Sequence, residues 1–364
     1  MANRQCPVEK MVSPAFWQGR RVFITGHTGF KGSWLSLWLQ QMGANLTGYA
    51  LTPATTPNFF DAAGVAREMT SILGDIRDPN SLQKALTASQ PEIVLHLAAQ
   101  ALVGEGYRDP LGTYATNVQG TANLLEAVRN VASIKAVVVV TSDKCYDNKE
   151  WPWPYRENEA LGGHDPYSSS KACAELVTAA YRQSFLMQAG VGVATARAGN
   201  VFGGGDWSAN RLIPDLLAAF SKNLPAQLRR PNAVRPWQHV LEPLAGYLLL
   251  AEHLFSNSAT NAAWNFGPNE QDCLPTGVIA DQLARHWGNN AFWQTEARTF
   301  PHEAELLRLD SSLARQQLGW QQRWSLNAAL ANTVSWHKTW LTAANMREYT
   351  LSQIEKYTTN DLAK

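Results

Sequence analysis

The residues with the clearest chemical meaning are a tyrosine and a lysine spaced four apart, Tyr167 and Lys171. Residues four apart share one face of an α-helix, and Asp165 followed by Pro166 is typical of a helix start. A free tyrosine ionises at about pH 10, so it can act as a base near neutrality only if a nearby positive charge stabilises the phenolate. The spacing therefore predicts redox chemistry, with Tyr167 as the base and Lys171 as the source of that charge.

A glycine-rich turn lies upstream of this pair. Gly26, Gly29 and Gly32 stand between a β-prone run and a stretch with helical apolar spacing. Glycines at such a turn let the backbone approach a pyrophosphate, and the helix start offers free amide hydrogens to its charge. The spacing alone also fits an ordinary tight turn, but the strand and the helix around it favour a dinucleotide site, to which Phe30 and Lys31 would also belong.

The segment after this turn bears on the choice of dinucleotide. A carboxylate about 20 residues downstream usually holds the adenosine ribose, yet Met42 to Phe60 contains neither an acidic nor a basic residue. An extra 2′-phosphate would find no local arginine or lysine, so we expect NAD rather than NADP. Asp75 and Ile76, after the third predicted strand, are candidates for contact with the adenine, although Asp75 also fits a solvated turn.

Alternating strand-like and helix-like segments define the expected fold. Near-continuous apolar strands between amphipathic helices predict an α/β protein with a doubly wound parallel sheet, the Rossmann architecture. We expect the dinucleotide-binding domain at residues 15–197 plus about 238–268. A smaller, interleaved α+β substrate lobe would comprise about 198–237 plus 269–364. One long helix is predicted to run from Asp109 through Asn130.

Composition excludes several other classes of protein. The 364 residues include 31 basic and 30 acidic side chains, and without a basic run they argue against a nucleic-acid partner. The four cysteines form no Cys-x-x-Cys pair, so we expect free thiols, no disulfide framework and no metal site. No apolar segment approaches the roughly 20 residues of a membrane span, and the N-terminus lacks an apolar signal core. We therefore expect a cytoplasmic protein.

Several motifs in this order resemble the extended short-chain dehydrogenase/reductase family, in its nucleotide-sugar branch. These motifs are the glycine turn, residues 96–100 (HLAAQ), residues 117–121 (NVQGT) and the Tyr167/Lys171 pair. The resemblance covers nearly the whole chain. It implies that Leu97, Ala98 and Gln100 lie along the NAD cofactor and that Asn117 lies near the sugar.

The segment Thr141–Tyr146 bears on which reaction this branch member performs. Dehydratases of the branch usually have Asp-Glu after a serine or threonine, whereas this chain has Ser142 followed by Asp143 and Lys144. Together with residues 203–207, 211–215 and 235–240, that pair resembles the subgroup that dehydrates CDP-glucose. A 4-epimerase, a 4,6-dehydratase for another nucleotide and a non-catalytic dinucleotide-sensing protein remain alternatives.

In a 4,6-dehydration, we expect Ser142, Asp143 and Lys144 to have separate roles. Asp143 would protonate the departing C6 oxygen, Lys144 would accept the C5 proton, and Ser142 would hydrogen-bond the C4 oxygen. A free lysine keeps its proton to roughly pH 10.4, so Lys144 needs a strong downward shift of its pKa to act as a base. Its alternative role is to stay charged and stabilise the enolate. A neighbouring Lys144 cation would also oppose the raised pKa that Asp143 needs.

The substrate end requires groups that bind a diphosphate. The candidates are Asn200, Arg211, Arg235 and His239. Arg211 also fits a salt bridge at a helix start, and the preference for cytidine follows from the resemblance alone. The family pairs the helices that follow Asp109 and Asp165 with their copies, so a homodimer is expected, with a tetramer as the alternative.

Overall fold

The computed structural model describes residues 10–256, 263–296 and 305–359, which form twelve strands and thirteen α-helices. The strands are β1 (Arg21–Thr25), β2 (Asn45–Ala50), β3 (Thr70–Leu73), β4 (Ile93–His96), β5 (Ala136–Val140), β6 (Gly192–Ala198), β7 (Asn200–Phe202), β8 (Ala226–Leu228), β9 (Val234–His239), β10 (Ala263–Phe266), β11 (Cys273–Pro275) and β12 (Trp293–Thr295). The helices are α1 (Pro14–Trp17), α2 (Phe30–Gln41), α3 (Phe59–Ala62), α4 (Pro79–Ser89), α5 (Val103–Arg108), α6 (Pro110–Tyr114), α7 (Gly120–Arg129), α8 (Pro166–Tyr181), α9 (Leu212–Phe220), α10 (Leu241–Ser256), α11 (Thr276–Trp287), α12 (Leu326–Leu341) and α13 (Met346–Thr359).

Seven strands form one parallel sheet in the order β3-β2-β1-β4-β5-β6-β10. The central strands β4 and β5 are buried at every position because helices cover both faces of the sheet. The order reverses between β1 and β4, which is the switch point where doubly wound sheets bind ligands. The predicted fold class is confirmed, including the return of a late strand, β10, to the edge of the first sheet.

The remaining strands build smaller sheets beside this one. β7, β9 and β11 form a three-stranded sheet, and β8 pairs with β12. The last helix, α13, packs back against α2: the Arg347 guanidinium donates to the side chain of Gln40 at 3.0 Å, and the rings of Tyr357 and Trp38 meet edge to face. Helix α13 thus contacts α2, a helix that packs on the seven-stranded sheet, although α13 follows the second lobe in sequence.

The predicted long helix after Asp109 is present and contains a π-helical turn. Asp109 caps α6 by accepting the amide hydrogen of Gly112, as a helix start requires. A π-helical turn, Ala115–Gln119, then separates α6 from α7. Such turns insert one extra residue and re-aim the side chains that follow, and they are frequent near functional sites. Here the turn carries Asn117 toward the ends of the central strands.

Across the described ranges, no helix is both long and apolar enough to cross a membrane.

Candidate active site

The glycine turn joins β1 to α2 at the switch point of the sheet. Gly26 has a φ of +78°, and a Cβ on it would lie 2.7 Å from the backbone nitrogen of Ala98 at the end of β4. A Cβ on Gly32 would lie 2.1 Å from the carbonyl oxygen of Gly26. Only glycine fits at these two positions, because the turn is wedged between the start of α2 and the neighbouring strand.

The N-terminus of α2 is suited to an anion. Gly29 is its N-cap and offers no capping side chain, and the first turn, residues 30–33, contains no acidic residue. The first amide hydrogens of a helix have no partners within it and carry its positive dipole end. The turn and the helix start together match a pyrophosphate-binding site.

The end of β4 forms the other wall of this crevice. Leu97 and Ala98 are partly exposed, and the Ala98 amide donates to the side chain of Thr25 on β1. Both polar atoms of the Gln100 side chain form hydrogen bonds within the protein. The amide oxygen accepts from the amide of Leu102, and the amide nitrogen donates to Thr113 at 2.9 Å. The contact of Leu97, Ala98 and Gln100 with a cofactor stays a prediction.

Asp75 and Ile76 lie after β3. The Asp75 carboxylate accepts three hydrogen bonds from the Arg77 side chain and one from its amide, and these bonds hold its pKa below the usual value despite partial burial. The Ile76 side chain is buried against Gly120 of α7. The Ile76 contribution to this edge is packing, and the contact of either residue with an adenine stays a prediction.

The catalytic candidates Ser142, Asp143 and Lys144 follow β5 directly. Asp143 to Cys145 form a 3-10 turn that Ser142 caps by accepting the amide hydrogen of Lys144 at 3.2 Å. The Ser142 hydroxyl also donates to the Asp143 carboxylate at 3.1 Å. This turn places all three residues at the carboxyl edge of the sheet, where α/β enzymes bind substrates.

Asp143 is a buried acid surrounded by cations. Burial raises the pKa of its carboxyl above the usual value, while Lys144, Ser142, Arg235 and Lys31 oppose that shift. Its Oδ1 accepts from Ser142, and Oδ2 finds no hydrogen-bond partner within the described residues. The Lys144 charge lowers the pKa of Asp143 as expected, but desolvation raises this pKa by more. An oxygen with this environment can exchange a proton with a ligand.

Tyr167 and Lys171 occupy one buried face of α8, whose start is capped by Asp165 with Pro166 at the first helical position. Burial raises the pKa of Tyr167 to about 12; the Ser142 hydroxyl and the Arg211 charge lower it. The lowering of this pKa by Lys171 stays a prediction. Desolvation dominates, and the Lys171 ammonium donates to the carbonyl of Val140 at 3.3 Å.

Lys31 extends from the glycine turn into this same centre. Burial lowers the pKa of its ammonium to about 7; the charges of Arg211 and Lys171 lower it further and that of Asp143 raises it. These couplings bring the cofactor turn, the β5 end, α8 and the loop before α9 into one electrostatic neighbourhood. The sequence alone predicted only that Lys31 belongs to the dinucleotide site at the glycine turn.

The predicted substrate ligands divide into two groups. Arg235, on β9, is 4% exposed, donates to the carbonyls of Val234 and Glu305, and its charge reaches Asp143. Arg211 forms a salt bridge with the buried Asp206 at 3.1 Å, and its charge also acts on Tyr167. Asn200 begins β7, which pairs with β9. These three residues lie around the same centre.

His239 lies in a different environment from the one we expected. The His239 ring is fully buried, in contact with the rings of Trp34, Phe202 and Trp324, and desolvation lowers its pKa to about 3. A neutral ring enclosed by aromatic side chains is typical of core packing, so we leave His239 out of the proposed nucleotide site.

The side chain of Asn117 forms all its hydrogen bonds with other groups of the described protein. Its amide oxygen accepts from the Gln100 amide at 2.8 Å, and its nitrogen donates to the Gln100 carbonyl and to the Ser170 hydroxyl. The side chain therefore joins the π-helical turn, the end of β4 and α8. The place of Asn117 near a sugar stays a prediction.

Sequence reasoning missed the carboxylate that lies four residues beyond Lys171. Glu175 is fully buried on the same face of α8 and pairs with Arg197 of β6 at 2.8 Å. Its spacing from Tyr167 and Lys171 was the available signal, because positions i, i+4 and i+8 share a helix face. Within the described residues, no group of three or more His, Cys, Asp or Glu side chains could hold a metal ion.

Comparison with known proteins places this geometry in a family. The model of the family described as GDP-mannose 4,6 dehydratase matches residues 23–333. The chain is 51% identical over 353 residues to the CDP-glucose 4,6-dehydratase of Salmonella typhimurium, which covers 95% of this chain and 98% of that protein.

Solved structures show the same fold. The dTDP-glucose 4,6-dehydratase of Bacillus anthracis in complex with NAD superposes with a TM-score of 0.74 at 20% identity, over 88% of this chain and 97% of that one. The UDP-glucose-4-epimerase of Stenotrophomonas maltophila, with bound NAD and formylated UDP-arabinopyranose, gives 0.78 at 21% identity, over 89% and 100%. The chain therefore belongs to the GDP-mannose 4,6-dehydratase family, which confirms the predicted nucleotide-sugar dehydratase branch of the extended short-chain dehydrogenase/reductases.

Proposed function

We propose that this protein is an NAD-dependent nucleotide-sugar 4,6-dehydratase that converts CDP-glucose to CDP-4-keto-6-deoxyglucose. The observation that carries the proposal is the buried acid Asp143, with its raised pKa, between Ser142 and Lys144 and within electrostatic reach of Tyr167. An epimerase needs one redox base, whereas elimination of water needs an acid and a base besides. The Salmonella relative, 51% identical, supports the choice of CDP-glucose.

The crevice at the switch point fits NAD. Gly26 and Gly32 leave room for a pyrophosphate, and the start of α2 presents its amides there. No lysine or arginine lies between Lys31 and Arg67 to hold a 2′-phosphate. NAD, when bound, supplies the acceptor for the hydride of the sugar C4 and returns that hydride to C6.

Tyr167 removes the proton of the C4 hydroxyl in this proposal. Its phenol lies beside the Ser142 hydroxyl, which lowers the pKa of Tyr167 and can hydrogen-bond the same C4 oxygen. Because burial holds that pKa at about 12, the phenolate requires positive charge nearby. The charge of Arg211 acts on Tyr167, and Lys171 lies one turn further along the same helix face. Oxidation at C4 gives a ketone, which acidifies the C5 hydrogen.

Asp143 and Lys144 carry the elimination. Asp143, protonated more readily than a free aspartate, donates its proton to the C6 oxygen as that oxygen leaves as water. In one version, Lys144 removes the C5 proton and returns it to C5 when the hydride adds to C6. In the other, Lys144 stabilises the enolate as an ammonium, and a different base takes and returns that proton. Lys144→Ala separates these: wild-type exchange of the C5 hydrogen with solvent deuterium in this variant would contradict its role as the base.

The diphosphate binds among Arg235, Arg211 and Asn200 in this proposal. Arg235 is buried and presents its guanidinium close to Asp143, and Arg211 is fixed by its salt bridge with Asp206. A guanidinium binds phosphate oxygens in bidentate fashion, so both residues suit a nucleoside diphosphate.

The assay for the function uses four substrates. Purified protein with NAD is incubated with CDP-glucose, dTDP-glucose, UDP-glucose and GDP-mannose, and the alkali-induced absorbance of a 4-keto-6-deoxy sugar is followed. We expect product from CDP-glucose at a kcat/KM at least about tenfold above the others, which corresponds to about 1.4 kcal/mol of discrimination. A C4 epimer as product, or preference for another nucleotide, would overturn the proposal.

We also propose a homodimer. Tyr107, Leu111, Tyr114 and Leu176 are exposed apolar side chains on α5, α6 and α8, which pack against each other. Such a surface fits pairing with a second copy of the same helices. Leu111→Glu should shift the mass measured by light scattering from dimer to monomer, whereas Leu224→Glu, at an exposed leucine elsewhere, should leave it unchanged. A monomeric wild type would refute this proposal.

Finally, we propose a cytoplasmic location. Cys145, Cys173 and Cys273 are free thiols in the described part of the chain, which fits a reducing compartment. Cell fractionation with an antibody against the protein tests this, and recovery in an oxidising compartment would contradict it.

A further inference from the structure

The strongest unused feature is the buried carboxylate of Glu175. Glu175 lies on α8, one helical turn beyond Lys171 and two beyond Tyr167, and its side chain is 4% exposed. It touches none of the catalytic candidates by a hydrogen bond. A carboxylate is rarely buried to this extent without a specific reason, because desolvation of its charge is unfavourable.

Three donors satisfy this carboxylate, two on β6 and one directly after β5. Its Oε1 accepts from the hydroxyl of Thr141 at 2.5 Å. Its Oε2 accepts from the hydroxyl of Thr195 at 2.6 Å and from the guanidinium of Arg197 at 2.8 Å. Thr195 and Arg197 both lie on β6, so one oxygen of Glu175 is bound by β6 and the other by the residue after β5.

The Thr141 hydrogen bond joins the two halves of the proposed catalytic apparatus. Thr141 immediately precedes Ser142, whose turn carries Asp143 and Lys144, and Glu175 belongs to the helix that carries Tyr167. Two further contacts link these halves: the Ser142 hydroxyl hydrogen-bonds to the Tyr167 phenol, and the Lys171 ammonium donates to the Val140 carbonyl at 3.3 Å. A short, charge-assisted bond is the stronger geometric constraint.

The charge of Glu175 also acts on Lys171. Burial lowers the pKa of Lys171 to about 8, and Glu175 is the largest influence that raises it. Arg197 neutralises Glu175 from the other side, and the ring of Tyr146 covers the guanidinium at 4.9 Å. The pair is therefore shielded from water, and its interactions are stronger than they would be at a surface.

We propose that Glu175 and Thr141 are positioning residues for the dehydratase reaction: their hydrogen bond sets the distance between the Ser142–Lys144 turn and Tyr167. This inference rests on the proposed function and deepens it. The ion pair with Arg197 anchors the carboxylate to β6, and the Thr141 contact transmits that anchor to the reacting groups.

Conservative variants of the two threonines test this proposal. Thr141→Val removes the hydroxyl but keeps a methyl group in its place, and Thr141→Ser keeps the hydroxyl but removes the methyl group. Thr195→Val is the matched control, because it removes a buried hydroxyl bound to the same carboxylate from a strand that carries no catalytic candidate. Each variant is assayed for kcat and KM with CDP-glucose and NAD, and its thermal unfolding confirms that it is folded at the assay temperature.

We expect Thr141→Val to lower kcat by about tenfold or more with KM changed by less than about twofold, because a misplacement of about 1 Å near reacting groups reduces rates by up to about a hundredfold. Thr141→Ser and Thr195→Val should retain kcat within about threefold. The proposal is overturned if Thr141→Val keeps the wild-type kcat, or if Thr141→Ser or Thr195→Val loses as much as Thr141→Val. A wild type inactive on every nucleotide sugar would instead reject the proposed function itself.

Discussion

Replacement of Gly32 by alanine tests how the cofactor turn is built. The added Cβ would lie 2.1 Å from the carbonyl oxygen of Gly26, where ordinary contact begins at 3.4 Å, so the two backbones must separate by about 1.3 Å. The turn cannot retreat in the other direction, because Gly26 is already against the backbone of Ala98. Neither obstacle is a flexible side chain.

Two effects follow from that displacement. Overpacking of this kind destabilises a protein by about 1 to 3 kcal/mol. The start of α2 also moves away from the pyrophosphate, and hydrogen bonds to a charged group contribute about 1.5 to 3 kcal/mol. We therefore expect Gly32→Ala to lower the free energy of unfolding and to raise the Kd for NAD by about tenfold or more.

Gly29→Ala is the matched comparison in the same turn. Gly29 has a φ of −80°, and the nearest atom to its Cβ would be 3.4 Å away, so alanine fits there without strain. We expect its stability to stay within about 0.5 kcal/mol of wild type, while NAD binding weakens if this Cβ faces the phosphates. Urea unfolding and calorimetric titration with NAD measure both quantities. Gly32→Ala with wild-type stability and wild-type NAD affinity would refute this account of the turn.

Three further predictions concern the charged groups. Arg235→Ala should raise the KM for CDP-glucose by about tenfold or more and lower kcat less, since a charged phosphate contact contributes about 1.5 to 3 kcal/mol. An unchanged KM in steady-state kinetics, together with lower stability, would indicate that Arg235 has a purely structural role. Because the pKa of Lys171 is about 8, the rate should fall as the pH rises through that value and its ammonium charge near Tyr167 disappears; a pH–rate profile that stays flat to about pH 9.5 would disagree. Burial raises the pKa of Glu242 to about 7 from an ordinary 4.5, so the folded state favours the protonated acid and loses stability as the pH rises between these values. This loss, of at most about 3 kcal/mol, should be absent from urea unfolding of Glu242→Gln. Wild-type and variant stabilities that change in parallel with pH would contradict this prediction.

Local signals were sufficient for much of the fold and for the identity of the catalytic candidates. The Asp165 cap and Pro166 mark the first turn of α8 because both act through bonds within three residues of the helix start. The apolar run of β5 marks a strand buried on both faces. The long helix predicted from Asp109 through Asn130 is present, but the π-helical turn inside it was not recognised because it hardly disturbs the apolar period.

The roles within the site depended on more distant contacts. His239 follows a pattern that suggests a polar ligand, yet three aromatic rings from separate segments enclose it. The Asn117 amide is satisfied by Gln100 and Ser170, which are 17 and 53 residues away in sequence. Neither arrangement has a local signature, because the partners come together only when the elements pack.

The amino-acid sequence alone determined which groups stand at the carboxyl ends of the strands and on one face of α8, because periodicity, capping and glycine turns act over a few residues. Only the tertiary structure decided the protonation of those groups. Desolvation adds up over atoms from every surrounding element, so it raises the pKa values of Asp143 and Tyr167 and lowers those of Lys31 and Lys171 in spite of their neighbours in sequence. The hydrogen bond between Glu175 and Thr141 likewise exists only because β5 and α8 pack side by side.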